Sequence, residues 1–180
     1  MGRALPTRKT ERAGVVTMTL DPNQLGVSLD EIGVILVDHG SRRGESNQLL
    51  LDVVNAFRAE AKWKIVEPAH MELAEPSIAT AFGSCALQGA KVVVVFPYVL
   101  GPGRHWSQDI PALTAAAAKG FPGVQHLVTA PLGLDASILA LIGERIAHCL
   151  EHAAADGPGC DVCQDTGGCS LHESTSSDSL

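Results

Sequence analysis

The sequence predicts an α/β fold with a small, doubly wound, mainly parallel sheet of four strands. Two observations lead to this prediction. Apolar, β-branched runs recur at intervals of roughly 30 residues, and a helical pattern follows each of them. The runs are continuously apolar rather than alternating, which is typical of parallel strands buried on both faces.

Four segments are predicted as strands, and the second is less apolar than the others. They are Gly33–Val37, Ile65–Met71, Lys91–Phe96 and Val124–Thr129. Open sheets of this flavodoxin-like kind bind ligands in the crevice beyond the carboxyl ends of their strands. Residues that follow the strand ends are therefore the first candidates for a functional site.

Each predicted strand is followed by a predicted helix. After the first strand, a core-facing helix is indicated by the i, i+3, i+4, i+7 spacing of Leu50, Val53, Val54 and Phe57. The second helix is predicted to start at Glu75-Pro76, because an early proline has no interior hydrogen bond to lose. Pro111 is predicted to interrupt the third helix. The fourth, from about Asp135 to Ala154, has an apolar stripe of Leu139, Ile142, Ile146, Cys149 and Leu150.

Composition divides the chain into three segments. Residues 1–30 form an N-terminal arm, whose basic residues resemble the remnant of an organelle transit peptide, with a floppy arm as the alternative. Residues 31–155 form the predicted α/β domain. Residues 156–180 form a cysteine-containing tail, and its end, residues 173–180, is predicted to be disordered.

Composition also excludes several classes of function. No apolar run approaches the roughly 18 residues of a membrane-spanning helix, so no membrane partner is expected. The formal net charge of −7 argues against general nucleic-acid binding. Aromatic residues make up 4% of the chain, which argues against a base-stacking surface.

Two histidines and a glutamate follow the first three predicted strands. His39, Glu72 and His105 are each separated from the next by 33 residues, and all three fall at the same edge of the sheet. Two imidazoles and a carboxylate in one crevice can hold a divalent metal with open positions, or accept protons near neutral pH. Singly, each histidine is equally explained as a hydrogen-bonded loop residue, and Glu72 as a cap of the following helix.

The other histidines show no such convergence. They are His70, His126, His148 and His152. His148 and His152 are spaced i, i+4 on the last helix and could share a metal. A solvated cationic face near the helix C-terminus is the favoured interpretation.

Three motifs resemble those of a known family. Val37-Asp-His-Gly-Ser-Arg42, Met71-Glu-Leu-Ala-Glu-Pro-Ser77 and Pro97-Tyr-Val-Leu-Gly-Pro-Gly-Arg-His105 resemble the motifs of the short class II tetrapyrrole chelatases, and most closely those of plant-type sirohydrochlorin ferrochelatases. The resemblance covers about residues 32–152. It implies a flavodoxin-like chelatase half in which His39 and His105 handle the metal and Glu72 is the active-site glutamate.

The same resemblance implies an activity. It implies a lyase that inserts Fe²⁺ into sirohydrochlorin to form sirohaem, without ATP and with release of two protons. It also implies a homodimer in the chloroplast stroma. One imidazole nitrogen cannot bind the ion and accept a proton at once, so both histidines are expected to act, in an order left open. Glu72 would attract the ion and relay a proton outward.

The implied substrate is a polycarboxylate, whereas the chain is net negative. Three of the five arginines in residues 30–155 lie on the two histidine loops, namely Arg42, Arg43 and Arg104. Guanidinium groups pair well with carboxylates, so these residues are predicted to bind substrate, with Ser41 adding a hydrogen bond. The alternative is that they are solvated turn residues.

The tail contains the spacing C-x2-C-x5-C in Cys160, Cys163 and Cys169. No secretory segment is recognised, so a thiolate-metal site is favoured over disulfides. With His172 these thiols would form a Cys3His zinc site. The resemblance instead favours a [2Fe–2S] cluster whose fourth ligand comes from elsewhere in the chain or from the partner protomer. Cys85 and Cys149 are expected in the core.

Two other functions remain open from the sequence. The same ligands accept Co²⁺, so a cobaltochelatase is the alternative enzyme. A flavodoxin-like metal or electron carrier explains the cysteines but leaves His39, Glu72 and His105 without a shared role.

Overall fold

The computed structural model of the chain describes residues 25–155. These residues fall into two compact units. One ends at Gly133 and contains every strand, and the other begins at Leu134 and contains the last helix. Most of the predicted arm and the whole cysteine tail, with Cys160, Cys163 and Cys169, lie outside the described residues.

The first unit is built on one parallel sheet. Its strands are β1 (Ile32–Asp38), β2 (Ile65–His70), β3 (Val92–Pro97) and β4 (Gln125–Val128). They lie in the order β2-β1-β3-β4, with every neighbouring pair parallel. The predicted four-stranded parallel sheet is therefore confirmed. The chain reverses its direction of winding between β1 and β3, where doubly wound sheets form their ligand crevice.

The described helices alternate with these strands. They are α1 (Gly44–Glu60), α2 (Ile78–Leu87), α3 (Ile110–Ala118) and α4 (Ala136–Ala155). A 3-10 turn, Leu29–Glu31, precedes β1, and a π-helical turn, His105–Asp109, runs directly into α3. No helix in residues 25–155 is long and apolar enough to cross a bilayer.

One face of the sheet packs against α2 and α3. Ile35 and Val37 of β1 lie in a buried cluster with Phe82 of α2 and Ile110 of α3. Burying each such side chain stabilises the fold by about 1.5–3 kcal/mol. Cys85 lies in the same cluster, and burial raises the pKa of its thiol to about 12. The predicted core position of Cys85 is confirmed.

The opposite face packs against α1, because alternate residues of β1 point to opposite sides. Val34 and Leu36 form a second buried cluster with Leu50 and Val54. The predicted apolar face of α1 is thus confirmed at its centre. Phe57, at the end of the stripe, remains 37% exposed.

Two predicted helix boundaries were wrong. Helix α2 begins at Ile78 rather than at Glu75-Pro76, because the Ser77 hydroxyl accepts the Thr80 N–H and caps the first turn. Pro111 does not interrupt the third helix. It lies at the start of α3, directly after the π-helical turn, and the helical segment continues through it.

The last strand and the last helix are less buried than predicted. In β4 the first three residues are exposed and Val128 is half-buried. The bounds of α4 agree with the prediction within one residue. Its apolar stripe is at least half exposed at Leu139, Ile142, Ile146 and Leu150, and Cys149 is half-buried rather than a core residue.

Candidate active site

The site lies at the carboxyl edge of the sheet. His39 follows β1, Glu72 follows β2, and His105 opens the π-helical turn after β3. Hydrogen bonds from Met71 N to Asp38 O (2.9 Å) and from Glu72 N to His39 O (3.1 Å) join the first two turns. The adjacent position of β1 and β2 in the sheet therefore places His39 beside Glu72.

Gly40 allows these two turns to approach closely. Its φ of +82° lies in the left-handed region, which side chains disfavour. A Cβ at this position would lie 2.0 Å from the backbone oxygen of Glu72. Only glycine fits both requirements without moving the Glu72 backbone.

His39 contacts Glu72 directly. Its Nε2 lies 2.9 Å from Glu72 Oε1, and its Nδ1 lies 3.1 Å from Gly40 O. A carbonyl oxygen can only accept, so the Nδ1 atom carries a proton. The contact at Nε2 places the imidazole and the carboxylate within hydrogen-bond distance, so a proton can pass between them.

His105 is oriented by Asp109, one turn later. Its Nδ1 lies 2.9 Å from Asp109 Oδ2, which places the ring proton on Nδ1. Within residues 25–155 the Nε2 atom of His105 has no hydrogen-bond partner. The turn itself is anchored because Trp106 Nε1 donates to Thr129 O at 2.8 Å. His105 therefore presents an available nitrogen on a fixed ring, and π-turns of this kind are frequent at functional sites.

The structure brings the two histidine rings together. The ring centroids of His39 and His105 are 5.0 Å apart, at an interplanar angle of 74°. The side chains of His39, Glu72 and His105 are 45%, 53% and 51% exposed. All three groups are thus open to a ligand from solvent. Within the described residues, however, no three His, Cys, Asp or Glu side chains form a ready-made metal cage.

A cavity of about 540 Å³ opens beside these groups. Its lining residues are Met71, Glu72, Arg104, His105, Asp109, Ala112 and Leu113. Small-molecule sites have this size and this mixture of an apolar wall with a few polar groups. Ala112 and Leu113, in the first turn of α3, line the cavity together with Glu72.

The predicted substrate-binding residues do not all line the cavity. Arg104 lines the cavity, and its Nε lies 3.5 Å from Asp109 Oδ1. Arg42 and Arg43 are exposed and form no ion pair within the described residues. The Ser41 hydroxyl accepts the Arg43 N–H at 3.0 Å, so it already stabilises its own turn.

A buried pair beneath the site was missed by the sequence analysis. His70, predicted to have no convergent partner, is 1% exposed, and its Nδ1 lies 2.6 Å from Asp38 Oδ1. The same Asp38 oxygen accepts the Gly40 N–H at 2.9 Å. This pair fixes the turn that carries His39. No local sequence signal could have revealed it, because the pairing depends on the register between β1 and β2.

Asp109 was also missed, although its i, i+4 spacing from His105 on a helical segment was available in the sequence. Glu72 does not cap the following helix, because Ser77 forms that cap and Glu75 supports it. Glu75 accepts the Ser77 N–H and the Thr80 hydroxyl, and these hydrogen bonds lower the pKa of its carboxyl. Leu73, beside Glu72, has a φ of +67°, a strained conformation of the kind that clusters at functional sites.

Several known proteins are similar to this chain in sequence and fold. A family model described as CbiX matches residues 33–149. The chain is 54% identical over 146 residues to the chloroplastic sirohydrochlorin ferrochelatase of Arabidopsis thaliana, covering 81% of this chain and 65% of that relative. It is 30% identical to the sirohydrochlorin cobaltochelatase of Sulfurisphaera tokodaii, covering 66% of this chain and 93% of that relative. The chain thus spans less than two thirds of the length of the Arabidopsis relative.

Two solved structures are also similar. A CbiX protein from Marinobacter aquaeolei VT8 matches with a TM-score of 0.59 and 26% identity, covering 67% of this chain and 98% of that one. The sirohydrochlorin chelatase SirB from Bacillus subtilis subspecies spizizenii, solved in complex with cobalt, matches with a TM-score of 0.56 and 28% identity, covering 71% of this chain and 51% of that one. Sequence and fold agree on one assignment, and the chain belongs to the CbiX family.

Proposed function

We propose that the chain inserts Fe²⁺ into sirohydrochlorin to form sirohaem, releasing two protons and using no ATP. The observation that supports this most strongly is the convergence of His39, Glu72 and His105, of which Glu72 and His105 line one cavity. The family, and the printed activity of the Arabidopsis relative, support the same reaction.

The reaction needs a metal ligand and a proton acceptor at the same time. His105 suits the first role, because Asp109 holds its proton on Nδ1 and leaves the Nε2 lone pair available. His39 and Glu72 suit the second, because a proton accepted by one of them can pass to the other and on to solvent. Both side chains are about half exposed, so the pair can release the first proton of the macrocycle to solvent before it accepts the second.

The lining of the cavity suits one edge of a flat polycarboxylate. The apolar side chains of Ala112 and Leu113 would pack against the macrocycle, while Arg104 would pair with a peripheral carboxylate. Arg42 and Arg43 remain free of ion pairs in the described residues and would extend this basic rim. Ser41 would contribute only after releasing its bond to the Arg43 amide.

The test is an anaerobic absorbance assay with purified protein, Fe²⁺ and sirohydrochlorin. We expect a macrocycle spectrum that changes with enzyme-dependent kinetics, and no change with the His105→Ala variant. The His148→Ala variant is the matched control, because His148 is exposed on α4. Wild-type protein that binds metal without altering the macrocycle spectrum would contradict catalysis and favour the metal or electron carrier.

Cobalt insertion is the second candidate. The Sulfurisphaera relative is described as a cobaltochelatase, and the Bacillus structure was solved with cobalt. Imidazole and carboxylate ligands accept Co²⁺ as well as Fe²⁺. The ratio of kcat/KM for the two ions, measured under identical anaerobic conditions, distinguishes a ferrochelatase from a cobaltochelatase.

We further propose that Cys160, Cys163 and Cys169 hold a [2Fe–2S] cluster, with structural Zn²⁺ as the alternative. Three thiolates within ten residues are a donor set suited to soft metal centres. Such a cluster can accept or release one electron. Because the insertion groups lie in residues 39–109, the cluster is assigned to regulation or assembly rather than to the insertion step.

Homodimer formation and a chloroplast location complete the proposal. The Bacillus chain is matched over 51% of its length, so it has room for a second unit of similar size, which a second copy of this chain would replace. The printed name of the Arabidopsis relative supports the chloroplast. Light scattering of active protein and a fluorescent fusion of the full chain test these two statements. A monomeric mass or a cytosolic fusion would contradict them.

A further inference from the structure

Asp109 is an acidic side chain in a cavity that is proposed to receive a polycarboxylate. It lines this cavity together with Arg104 and His105. Like charges repel, so an isolated carboxylate at this place would oppose the binding of an anionic ligand. The two oxygen atoms of Asp109 contact different partners, since Oδ2 lies 2.9 Å from His105 Nδ1 and Oδ1 lies 3.5 Å from Arg104 Nε. One carboxylate thus links the proposed metal ligand to the proposed substrate-binding arginine.

The π-helical turn makes this double contact possible. Asp109 follows His105 by four residues and Arg104 by five, and the N–H of Ile110 donates to His105 O in the i→i+5 pattern of a π-helix. In an α-helix, side chains five positions apart lie roughly 140° apart around the axis. The wider π turn brings positions i−4 and i−5 to the same side as Asp109. A regular α-helix here would let Asp109 reach His105 but not Arg104.

The contact at Nε leaves the outer edge of the Arg104 guanidinium available. Within residues 25–155 Asp109 is the only ion-pair partner of Arg104, whose side chain is 78% exposed. The two terminal nitrogens of a guanidinium form a planar fork that pairs with both oxygens of a carboxylate. A side chain that is already held at Nε loses less conformational freedom when this fork binds a ligand. Asp109 can therefore favour the binding of an anion although it is itself negative.

We propose that Asp109 is a positioning residue that holds Arg104 for a peripheral carboxylate of the macrocycle while it orients His105 toward the metal ion. Because one side chain holds both groups, the bound carboxylate and the metal ligand keep a fixed relation to each other. This inference rests on the proposed function, since it takes sirohydrochlorin as the ligand of the cavity. It implies that removing a negative charge from the cavity weakens the binding of an anion, whereas simple charge repulsion implies the opposite.

The test is the dissociation constant of sirohydrochlorin, measured anaerobically by absorbance titration of the full-length protein without added metal. We expect Asp109→Asn to raise this constant by about 2–5-fold, the scale of an exposed ion pair. Arg104→Gln should raise it by about 10-fold, because a charge-assisted bidentate pair is lost. The double variant should match Arg104→Gln, since Asp109 acts on the macrocycle through Arg104.

Asp52→Asn is the matched control. Asp52 likewise accepts a hydrogen bond from the side chain four positions earlier, that of Gln48, but it lies on α1 and does not line the cavity. Its dissociation constant should equal that of the wild type. Tighter or unchanged binding in Asp109→Asn would overturn the proposal, and so would a further loss of affinity when Asp109→Asn is added to Arg104→Gln.

The insertion assay separates this inference from the proposed function. Asp109→Asn should lower kcat/KM for the metal ion in the Arg104→Gln background as well, because its contact with His105 does not pass through Arg104. Wild-type protein that shows the expected binding constants but inserts no metal would contradict the proposed reaction and support the positioning of Arg104. Wild-type protein that binds no sirohydrochlorin would contradict both.

Discussion

Substitution of Gly40 by alanine tests how the two turns of the site are held together. Gly40→Ala forces a side chain into a φ of +82° and places its Cβ 2.0 Å from the backbone oxygen of Glu72. Gly123→Ala is the matched control. Gly123 has a φ of +91°, and a Cβ there meets no atom within 4 Å.

The expected free-energy costs differ between the two variants. The left-handed backbone costs alanine about 1–2 kcal/mol, and the loss of glycine entropy from the unfolded chain offsets about 0.4–1 kcal/mol of this. Gly123→Ala should therefore lower the free energy of unfolding by about 1 kcal/mol. Gly40→Ala carries the same cost and adds an overpacking cost of about 1–3 kcal/mol, because backbone must move.

The two variants should differ more in their rate of metal insertion than in their free energy of unfolding. Real Cβ atoms do not approach within 3.0 Å, so the Glu72 backbone must move by about 1 Å relative to His39. A misplacement of this size costs about 100-fold in rate. Urea unfolding and the anaerobic insertion assay measure the two effects. Equal kcat for Gly40→Ala and Gly123→Ala would refute the view that this close approach sets the geometry of the site.

Three further predictions concern individual side chains. His39→Ala and His105→Ala should each abolish most metal insertion. Both side chains are half exposed, so each change should alter the free energy of unfolding by no more than about 0.5 kcal/mol. Normal turnover of either variant at saturating metal would remove that residue from the mechanism. Asp109→Asn should weaken metal use by about 10–100-fold in kcat/KM for the ion with the fold intact, since His105, the proposed metal ligand, loses its orienting carboxylate. The hydrogen bond from Lys91 and those from Ser28 lower the pKa of Glu31 from 4.5 to about 2. The ionised Glu31 carboxylate therefore stabilises the folded state above pH 4.5, and this contribution is lost as the pH falls through about 2. Urea midpoints measured across this interval should depend less on pH in Glu31→Gln, and an unchanged pH dependence would contradict this assignment.

Much of the fold was predictable because it depends on patterns that are local in the chain. Continuous apolar runs identified the strands, and the spacing of Leu50 and Val54 identified the buried face of α1. The start of α2 was not predictable from Pro76 alone, because the cap is formed by the Ser77 hydroxyl. The burial of β4 was overestimated because an apolar run does not show how fully other elements cover the strand.

The sequence by itself determined that His39, Glu72 and His105 follow parallel strands and so meet at one edge of the sheet. Only the tertiary structure decided which atoms touch. The pairing of His70 with Asp38 and the close approach of Gly40 to Glu72 depend on the register between β1 and β2. That register joins residues more than thirty positions apart. It is fixed by packing across the whole sheet, and no local pattern in the chain specifies it.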